Sequence, residues 1–416
     1  MLASQQPMQP MSHPLTNSLV SALQGWKGWR EFKNLPWEWR NLVFYSESGQ
    51  DWHQFAGLIE RLNVQLGRKV CYVTSDPKDR GLLRQHENYR AIYIPAGIFL
   101  ITFFQVNQCD ALVLTMMDLG NLHLKRSLYP VHYIYLFHGM GSTHMVDHAN
   151  SFDHYDSLFC AGPHQLAEIR KREAVKILPA KHLFDYGHPR LEQIMLEAKA
   201  YQRSGEEKTR RGGTRTLIIL VAPTWGATSI FNVCGHELIE TLLLGGFEVI
   251  MRPHHQSIKL TPGVIKSVRD RFQARPEFHY VDHMDETDSI LRSDLLISDW
   301  SAMALEYALG LEKPVLFIDV PRRIRNPDWQ ELEIEPIESS IRKKIGAIIS
   351  PDHLEQVQEK IYDLLAHREE FARRARELRD HSVFRLGHSI SAGAAEIVRL
   401  ADQQKAGRLE RSLAHD

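Results

Sequence analysis

The sequence predicts an α/β protein built from two doubly wound parallel sheets. Short apolar strands alternate with helical patterns over most of the chain, as in proteins whose parallel strands are joined by crossover helices. The length of 416 residues exceeds what one ordinary hydrophobic core needs. Residues 201–215, YQRSGEEKTRRGGTR, interrupt the alternation with charged residues and glycines, which is typical of a linker.

Six strands are predicted in the first half of the chain. They are NLVFYSE (41–47), KVCYVTS (69–75), RAIYIPA (90–96), CDALVLTM (109–116), VHYIYLF (131–137) and SLFCAG (157–162). Between the first two, DWHQFAGLIERLNVQL (51–66) repeats apolar residues at helical spacing. The apolar run from Ile98 to Val106 is too short to span a bilayer, so we expect a buried element there. FDYGHPRLEQIM (184–195) continues the alternation.

The second half repeats this alternation. Its predicted strands are TLIILVAPT (216–224), FEVIMRPHH (247–255), EFHYVD (277–282), DLLISD (294–299) and PVLFIDV (314–320). Its predicted helices are ELIETLLLGG (237–246), the stretch after DLLISD up to residue 311, a long stretch from about 351 to 379, and a last helix at 389–404.

These patterns predict four segments. They are a tail with an amphipathic helix (1–40), an N-terminal doubly wound domain (41–205), a C-terminal doubly wound domain (206–385), and a C-terminal helix with a tail (386–416). Ligands of such sheets bind outside the carboxyl ends of the strands, and two facing domains make a cleft there. Residues directly after the strands are therefore the best candidates for function.

The helix predicted in PLTNSLVSALQGWKGWREFK leaves two interpretations open. Leu15, Leu19, Leu23 and Trp26 recur at helical spacing, with Lys27 and other cations interleaved. A basic amphipathic helix that bears Trp can lie in a membrane interface. The same pattern fits a helix that docks on its own domain, and we expect the docked form slightly more than the membrane-bound one.

Composition excludes several classes of protein. Hydrophobic residues at 43% and charged residues at 24% are ordinary for a soluble globular chain. The formal net charge of −1 argues against nucleic acid as a partner. Four scattered cysteines without disulfide or metal spacing, and the lack of a signal-peptide pattern, favour a cytoplasmic location.

Four segments after predicted strands carry residues suited to chemistry: HGMGSTHMVD, APTWG, RPHH and SDWSAMALE. His138 is suited to general-base catalysis, and Gly139 lets a substrate approach the backbone closely. Ser142 or Thr143 is expected to cap a following helix whose free amides would face an anion. Helix capping, turns and a plain core histidine would give the same residues without any function.

The remaining candidates lie in the second half of the chain. Arg252 and His254 are suited to a diphosphate, and the Thr224 hydroxyl to a phosphate. Ser298, Asp299 and Ser301 stand at a strand–helix junction where helix amides attract anions. Glu306, on that helix, can accept hydrogen bonds from ribose hydroxyls.

A metal site is a minority hypothesis. His144 and His148 have the i,i+4 spacing of a helical metal pair, with Asp147 or His154 as a third ligand. The chain has no HExxH motif and no Cys pair, so we expect no metal and no cofactor.

Taken in order, these segments resemble the CDP-glycerol glycerophosphotransferases of teichoic-acid and capsule synthesis. The family's patterns HGTPLK…D, GYPRLD, APTWR, HP and SDVLITDYSS…D are similar to the segments above and to GHPRLE (187–192) in this chain. The resemblance covers roughly residues 40–370 and is strongest over 285–319. It implies the GT-B fold, with two Rossmann-like domains facing a cleft.

The resemblance also implies roles for five residues. His138 matches the histidine that deprotonates the acceptor, and Asp147 approximates the acidic residue downstream of it. His254 matches the histidine that contacts the donor diphosphate. Ser301 matches the serines that hold phosphate, and Glu306 the acidic residue on the next helix. The family Lys of HGTPLK has no counterpart, and Gly226 replaces the Arg of APTWR.

The predicted function is transfer of glycerol phosphate or a related polyol phosphate from a CDP-activated donor to a glycan or lipid-linked acceptor. Two alternatives stay open, a GT-B glycosyltransferase or epimerase that uses a UDP-sugar and a non-catalytic membrane-surface or glycan-binding scaffold. The predicted location is cytoplasmic, with peripheral contact to the inner face of the membrane through residues 14–40. The role of His144, near the position of the family Lys, is the least explained.

Overall fold

The computed structural model describes residues 14–117, 119–120, 123–204, 216–282 and 287–413. The strands are β1 Leu42–Ser46, β2 Val70–Thr74, β3 Tyr89–Tyr93, β4 Ala111–Leu114, β5 His132–Leu136, β6 Ser157–Cys160, β7 His182–Asp185, β8 Ile218–Val221, β9 Glu248–Met251, β10 Phe278–Tyr280, β11 Leu295–Ser298, β12 Val315–Ile318 and β13 Gly346–Ile349. Most of the predicted linker, the predicted boundary at 205–206 and the N-terminal tail lie outside the described residues.

The α-helices of the described residues alternate with these strands. They are α1 Pro14–Lys33, α2 Trp37–Arg40, α3 Trp52–Glu60, α4 Ile98–Val106, α5 Pro163–Lys176, α6 Pro189–Arg203, α7 Ile230–Val233, α8 Gly235–Leu244, α9 His255–Leu260, α10 Pro262–Phe272, α11 Asp288–Arg292, α12 Met303–Leu311, α13 Ile337–Ile345, α14 Val357–Ala366, α15 Arg368–Ser382 and α16 Ser389–Leu413. Short 3₁₀ helices span Gly49–Asp51, Arg80–Leu83, Trp329–Leu332 and Pro351–Gln356, and a π-helical turn, Arg61–Gln65, extends α3.

Two parallel sheets carry the fold, and the predicted fold class is confirmed. The first has the order β3-β2-β1-β4-β5-β6-β7, and the second the order β10-β9-β8-β11-β12-β13. In the second sheet the chain winds outward from β8 through β9 to β10, and then from β11 through β12 to β13. The carboxyl ends of β8 and β11 therefore lie at a topological switch point, where ligands of doubly wound sheets bind.

The second sheet is buried on both faces. Its strands β8, β11 and β12 are buried at every position and mostly aliphatic, as expected when helices cover both sides of a parallel sheet. One core cluster packs α8, α10 and α14 against one face, and another packs α12 and α13 against the opposite face. Strand β13 and helix α13 were not predicted, and the stretch predicted as one helix at 351–379 contains α14 and α15.

The chain divides into two compact units. The first comprises residues 1–135, 154–156 and 394–416, and the second comprises residues 136–153 and 157–393. The second unit contains all four segments in which the sequence predicts function. The candidate site is therefore built from residues of the second unit alone.

Helix α1 docks on the first unit through a face of small and aromatic residues. A Cβ on Gly28 would lie 2.2 Å from the carbonyl oxygen of Tyr93, so only glycine allows this approach. Phe32 is buried and packs edge-on against Phe103 of α4. Three apolar residues of the predicted stripe point away from this face; they are Leu19, Leu23 and Trp26, at 67%, 65% and 46% exposure. The helix thus docks and also presents an apolar surface.

In the part of the chain that the structure describes, no helix has the length and apolar character needed to cross a bilayer.

Candidate functional site

The chain after β5 forms an extended loop, residues 137–153, which begins at the opening residues of HGMGSTHMVD. The prediction that Ser142 or Thr143 caps a following helix is wrong, because no residue between 137 and 156 is helical. The amides of Ser142 and Thr143 donate hydrogen bonds to buried carboxylates of the protein instead of facing a ligand.

Two buried glutamates hold this loop by hydrogen bonds to consecutive residues. Glu338 of α13 accepts hydrogen bonds from the amide and hydroxyl of Ser142 at 2.8 and 2.7 Å. Glu168 of α5 accepts from the amide and hydroxyl of Thr143 at 2.6 and 2.7 Å. Charge-assisted bonds of this kind fix the loop more firmly than neutral ones.

His144 is explained by the same network. Its Nε2 lies 3.0 Å from the carbonyl oxygen of Ile334, and its Nδ1 lies 3.3 Å from Glu168. Burial lowers the pKa of His144, but the Glu168 carboxylate outweighs burial and leaves that pKa raised. The opposite balance holds for Glu168. Burial raises the pKa of Glu168, but the interaction with His144 lowers it below its ordinary value. Both directions favour an ion pair, so His144 anchors the loop.

Gln165, at the start of α5, fixes the glycines of the loop. Its side-chain nitrogen donates to the carbonyl oxygens of Gly139 and Gly141 at 2.9 and 3.1 Å, and its oxygen accepts from the amide of Ala161 at 2.8 Å. A Cβ on Gly141 would lie 2.5 Å from a carboxylate oxygen of Glu338, so this position needs glycine. Sequence reasoning missed Gln165, which lies in a helix rather than after a strand.

His138 is exposed at the start of the loop, directly after β5. Its charge is one cause of the lowered pKa of His255, after burial and Lys259, so the two histidines lie in the same region. The next residue, Gly139, would place a Cβ 4.0 Å from the side chain of Ala302. The loop after β5 therefore lies beside the turn after β11.

His254 is held as a neutral hydrogen-bond donor. Its Nδ1 accepts the backbone N–H of Gln256 at 3.1 Å, which places the proton of the neutral ring on Nε2. Burial, and then the charges of His255 and Arg323, lower the pKa of His254 to about 3. The ring therefore offers an N–H to a ligand at neutral pH.

Asp299 ties the turn after β8 to the end of β11. Its carboxylate accepts the amide of Thr224 at 2.7 Å and the amide of Ile230, the first residue of α7, at 3.3 Å. Burial raises the pKa of Asp299 to about 6, although these backbone donors oppose the rise. The Thr224 hydroxyl accepts a hydrogen bond from Arg323 at 3.4 Å.

Both serines of the β11 junction have internal partners. The Ser298 hydroxyl donates to the carbonyl oxygen of Ala222 at 2.8 Å, beside the end of β8. The Ser301 hydroxyl accepts the amide of Met303, the first residue of α12, at 3.3 Å. Ser301 is partly exposed, whereas Ser298 is buried.

The structure places Arg252 and Glu306 deeper in the second unit. Arg252 is buried, and its guanidinium donates to the Ser289 hydroxyl of α11 at 3.2 Å. Glu306 is also buried and lies 3.0 Å from Nε2 of His188, within the GHPRLE segment. Thr224, His254 and Asp147 share the neighbourhood of one further arginine, Arg323.

The segment after β12 supplies cations that sequence reasoning missed. The guanidinium of Arg323 lies 4.0 Å from the centre of the Trp225 ring, and that of Arg325 lies 5.9 Å from it. Burial raises the pKa of Asp147 to about 7, although Arg323 and Arg325 oppose the rise. The basic run RRIR directly after a predicted strand is the signal that could have identified this segment.

The metal hypothesis gains no support from the geometry. His144 binds Ile334 and Glu168, and His148 contacts Arg325 through its Nε2. Over the described ranges, no group of three or more His, Cys, Asp or Glu side chains is arranged to hold a metal ion.

Comparison with known families bears out the predicted resemblance. Residues 132–321 match the profile of the family described as CDP-Glycerol:Poly(glycerophosphate) glycerophosphotransferase. The matched region contains the loop after β5 and the segments after β8, β9 and β11. The resemblance to the CDP-glycerol glycerophosphotransferases is thereby confirmed. No curated protein sequence is a significant match to the chain.

Solved structures of low sequence identity share the fold. The wall teichoic acid polymerase TagF is 14% identical, with a TM-score of 0.58 over 94% of this chain and 99% of that chain. The UDP-GlcNAc 2-epimerase from Neisseria meningitidis is 13% identical, with a TM-score of 0.55 over 86% and 99%. A glycosyltransferase from Rickettsia africae is 11% identical, with a TM-score of 0.52 over 86% and 98%. These likenesses show the GT-B fold of two parallel-sheet α/β domains.

Proposed function

We propose that the chain is a transferase that moves glycerol phosphate, or a related polyol phosphate, from a CDP-linked donor to a hydroxyl of a glycan or lipid-linked acceptor in cell-surface polymer synthesis. The family match over residues 132–321 supports this most strongly, because it contains the four segments that carry the candidate residues. TagF, which shares the fold, is described as a wall teichoic acid polymerase, and a variant of it has been soaked with CDPG.

In this proposal His138 is the general base. Its imidazole is exposed after β5, so an acceptor hydroxyl can reach it. His138 takes the hydroxyl proton while the acceptor oxygen attacks the phosphorus that carries glycerol. A new phosphorus–oxygen bond forms, the bond from that phosphorus to the bridging oxygen breaks, and CMP leaves with the bridging oxygen. Asp147 lies nine residues further along the same loop, on the acceptor side.

The second half of the chain would bind the donor. His254 presents a neutral Nε2–H to a phosphate oxygen, and Ser301 stands at the start of α12, where the helix dipole favours negative charge. Glu306, on the same helix, is buried with its carboxylate 3.0 Å from Nε2 of His188, so we assign it no contact with the ribose. Phosphoryl transfer depends mostly on positioning and electrostatic stabilisation, which His254 and Ser301 supply. We accordingly propose 41–205 as the acceptor-side domain and 206–385 as the donor domain.

The test is CMP release from CDP-glycerol in the presence of a short acceptor. His138→Ala should lower kcat by a factor of about 100 or more, within the range for loss of a general base. His353→Ala, at an exposed histidine in the same unit, serves as the control and should leave the rate unchanged. Equal rates for wild type and His138→Ala would remove His138 from the mechanism.

The shared fold makes a UDP-sugar the rival donor, since one solved relative is described with UDP-GlcNAc bound. A ligand raises the melting temperature by mass action, so CDP-glycerol, CDP, UDP-GlcNAc and UDP can be compared directly. We expect the CDP compounds alone to raise the melting temperature. A melting temperature raised only by the UDP compounds would show that the donor is a UDP-sugar. Binding of CDP-glycerol without CMP release, across many acceptors, would indicate a scaffold.

The exposed face of α1 supports a second proposal, peripheral contact with the cytoplasmic face of the membrane. Leu19, Leu23 and Trp26 are exposed on this face, and Lys27 and Arg30 stand beside them for anionic headgroups. The Arg30 guanidinium also lies 5.2 Å from the centre of the Trp26 ring. Together these side chains combine apolar area with positive charge.

Point variants test this contact better than deletion, because removing residues 1–40 would also remove the buried Phe32 and Leu35. A triple change of Leu19, Leu23 and Trp26 to Gln should abolish flotation with vesicles that contain anionic phosphatidylglycerol. The control changes three exposed leucines of the second unit to Gln, namely Leu196, Leu244 and Leu260. Flotation that survives the α1 changes would refute the contact.

A further inference from the structure

Arg323 is a half-buried cation that contacts two other segments of the second unit. It follows β12, and its guanidinium stacks on the Trp225 indole at 4.0 Å. One terminal nitrogen donates to the Thr224 hydroxyl and the other to the carbonyl oxygen of Val146, both at 3.4 Å. These contacts fix the guanidinium between the loop after β5 and the turn after β8.

The guanidinium of Arg323 forms no ion pair with a described residue. Burial lowers its pKa, and the carboxylates of Asp147 and Asp299 are near enough to oppose that shift. Its two hydrogen bonds are at the long end of the usual range, and its buried Nε has no hydrogen-bond partner among the described residues. Arg323 forms no salt bridge with any described residue, whereas Arg342 pairs with Asp319 at 2.7 Å. A half-buried charge without an ion pair is stabilised when a ligand supplies the opposite charge.

The surroundings indicate which ligand would compensate it. The ring centres of Trp225 and His254 lie 6.2 Å apart, and Arg323 stacks on Trp225, so a neutral N–H donor and a cation lie next to the same indole. The charge of Arg323 is accordingly among the causes that lower the pKa of His254. The planar guanidinium fork, backed by an aromatic ring, suits phosphate oxygens better than a lysine would. A diphosphate offers several such oxygens to both groups.

The backbone at Gly226 explains why this cation comes from a different segment. Gly226 has a φ of +108°, which a residue with a side chain rarely adopts. Position 226 is where the resembling family has the Arg of APTWR, and this backbone disfavours such a side chain. A Cβ at Gly226 would lie 3.9 Å from Cδ of Arg323. The Arg323 side chain therefore lies beside the position that lacks an arginine.

We propose that Arg323 binds the diphosphate of the nucleotide donor, together with His254. This inference rests on the proposed function for the identity of the nucleotide, but the role of Arg323 requires only a nucleoside diphosphate. Arg323 would hold the donor's negative charge as the phosphorus–oxygen bond breaks. Its position on Trp225 would keep the guanidinium oriented without a salt bridge.

The test measures binding of CDP, UDP and cytidine to the full chain by calorimetry. Arg323→Ala should weaken CDP binding by about 10- to 100-fold, the range for loss of charge-assisted hydrogen bonds, and leave cytidine binding unchanged. Arg323→Lys should lose less, since it keeps the charge but not the fork. Arg322→Ala removes an adjacent exposed arginine and should bind CDP like wild type.

Each outcome separates this inference from the proposed function. Unchanged CDP affinity in Arg323→Ala would overturn the role of Arg323 and leave the transferase proposal standing. Wild-type binding of UDP but not CDP, with the same loss in Arg323→Ala, would support Arg323 and refute the CDP donor. A lowered melting temperature without ligand, or equal loss of CDP and cytidine, would indicate a structural role and overturn the inference.

Discussion

Asp147→Asn should stabilise the folded protein and slow the proposed reaction. The Asp147 carboxyl lies on the loop after β5, and burial raises its pKa to about 7 from an ordinary value of 3.8. An acid whose pKa is raised by folding prefers its neutral form in the folded state. Ionising it above pH 7 therefore costs folding free energy that an asparagine does not lose.

The size of this cost follows from the two pKa values. Their difference, at about 1.36 kcal/mol per pKa unit, gives an upper bound of about 4 kcal/mol. Asp147 is partly exposed, and solvent screening reduces the cost, so we expect about 2 kcal/mol. The stability that wild type gains from the neutral Asp147 carboxyl is fully present below about pH 4. It is lost as the pH rises through about 7.

Urea unfolding of wild type and Asp147→Asn at pH 4.5, 6 and 8 measures this difference. The variant should match wild type near the lowest pH and exceed it by about 2 kcal/mol at pH 8. Asp270→Asn is the matched control of opposite sign, because Lys266 and Arg269 lower the pKa of the exposed Asp270. Its change should make the protein slightly less stable at all three pH values, because a carboxyl whose pKa is lowered below 3.8 is ionised throughout this range.

A pH-independent difference between wild type and Asp147→Asn would refute the reasoning, since it would show that the carboxyl is not neutralised on folding. Loss of CMP release accompanied by a gain in stability at pH 8 would identify Asp147 as a functional carboxyl held at a cost to the fold. Such a combination is typical of active-site residues.

Three further changes test how the site is supported. Gln165→Leu removes the donor that holds the Gly139 and Gly141 carbonyl oxygens, so kcat for CMP release should fall about 10-fold or more while the KM for donor changes little; an unchanged kcat would show that the loop is held without it. Glu338→Leu removes the acceptor of the Ser142 amide and hydroxyl and should lower the free energy of unfolding by about 1 to 3 kcal/mol, measured in urea at pH 8; equal stability would contradict this. Gly226→Ala forces a side chain onto a φ of +108° and should lower the melting temperature by a few degrees, corresponding to about 1 kcal/mol, whereas an unchanged or higher value would argue against the strained backbone.

The fold could be predicted from the sequence because its signals are local. Apolar strands of the second sheet are separated by helices with regular apolar spacing, and both patterns appear within single segments. Strand β13 was missed because its run GAIIS is short and follows a charged stretch. The last helical stretch was predicted as one because the break near His367 carries no Gly or Pro.

The site was harder to predict because its support is non-local. His138 and His254 were predicted from their positions after strands, and that rule depends only on chain direction. The partners of His144, by contrast, are Glu168 and the Ile334 carbonyl, of which the second is 190 residues away. Spacing within one segment cannot show such a pair. The metal and helix-cap hypotheses for this loop arose from local spacing alone.

Helix α1 shows a different limit of sequence reasoning. Its apolar stripe, Leu19, Leu23 and Trp26, predicts a face that either docks or meets a membrane. The structure docks the helix through Gly28 and Phe32, so the face against the protein is marked by a small residue as much as by large apolar ones. Hydrophobic periodicity identifies the apolar surface of a helix. It does not identify a position where two backbones meet closely, because the residue there is a glycine.

Arg323 and Arg325 lie beside the turn after β8 and supply positive charge where this chain departs from the family pattern. Where the family has a Lys, the loop after β5 has Ser142 and Thr143, which donate hydrogen bonds to Glu338 and Glu168. This loop is therefore held in place but supplies no lysine. Gly226 removes an Arg from the next segment. Arg323, from the segment after β12, stands beside the vacated position and stacks on Trp225. In our proposal the positive charge for the donor diphosphate comes from the β12 side, so the affinity for nucleoside diphosphates should depend on Arg323 rather than on the family positions that carry no cation in this chain.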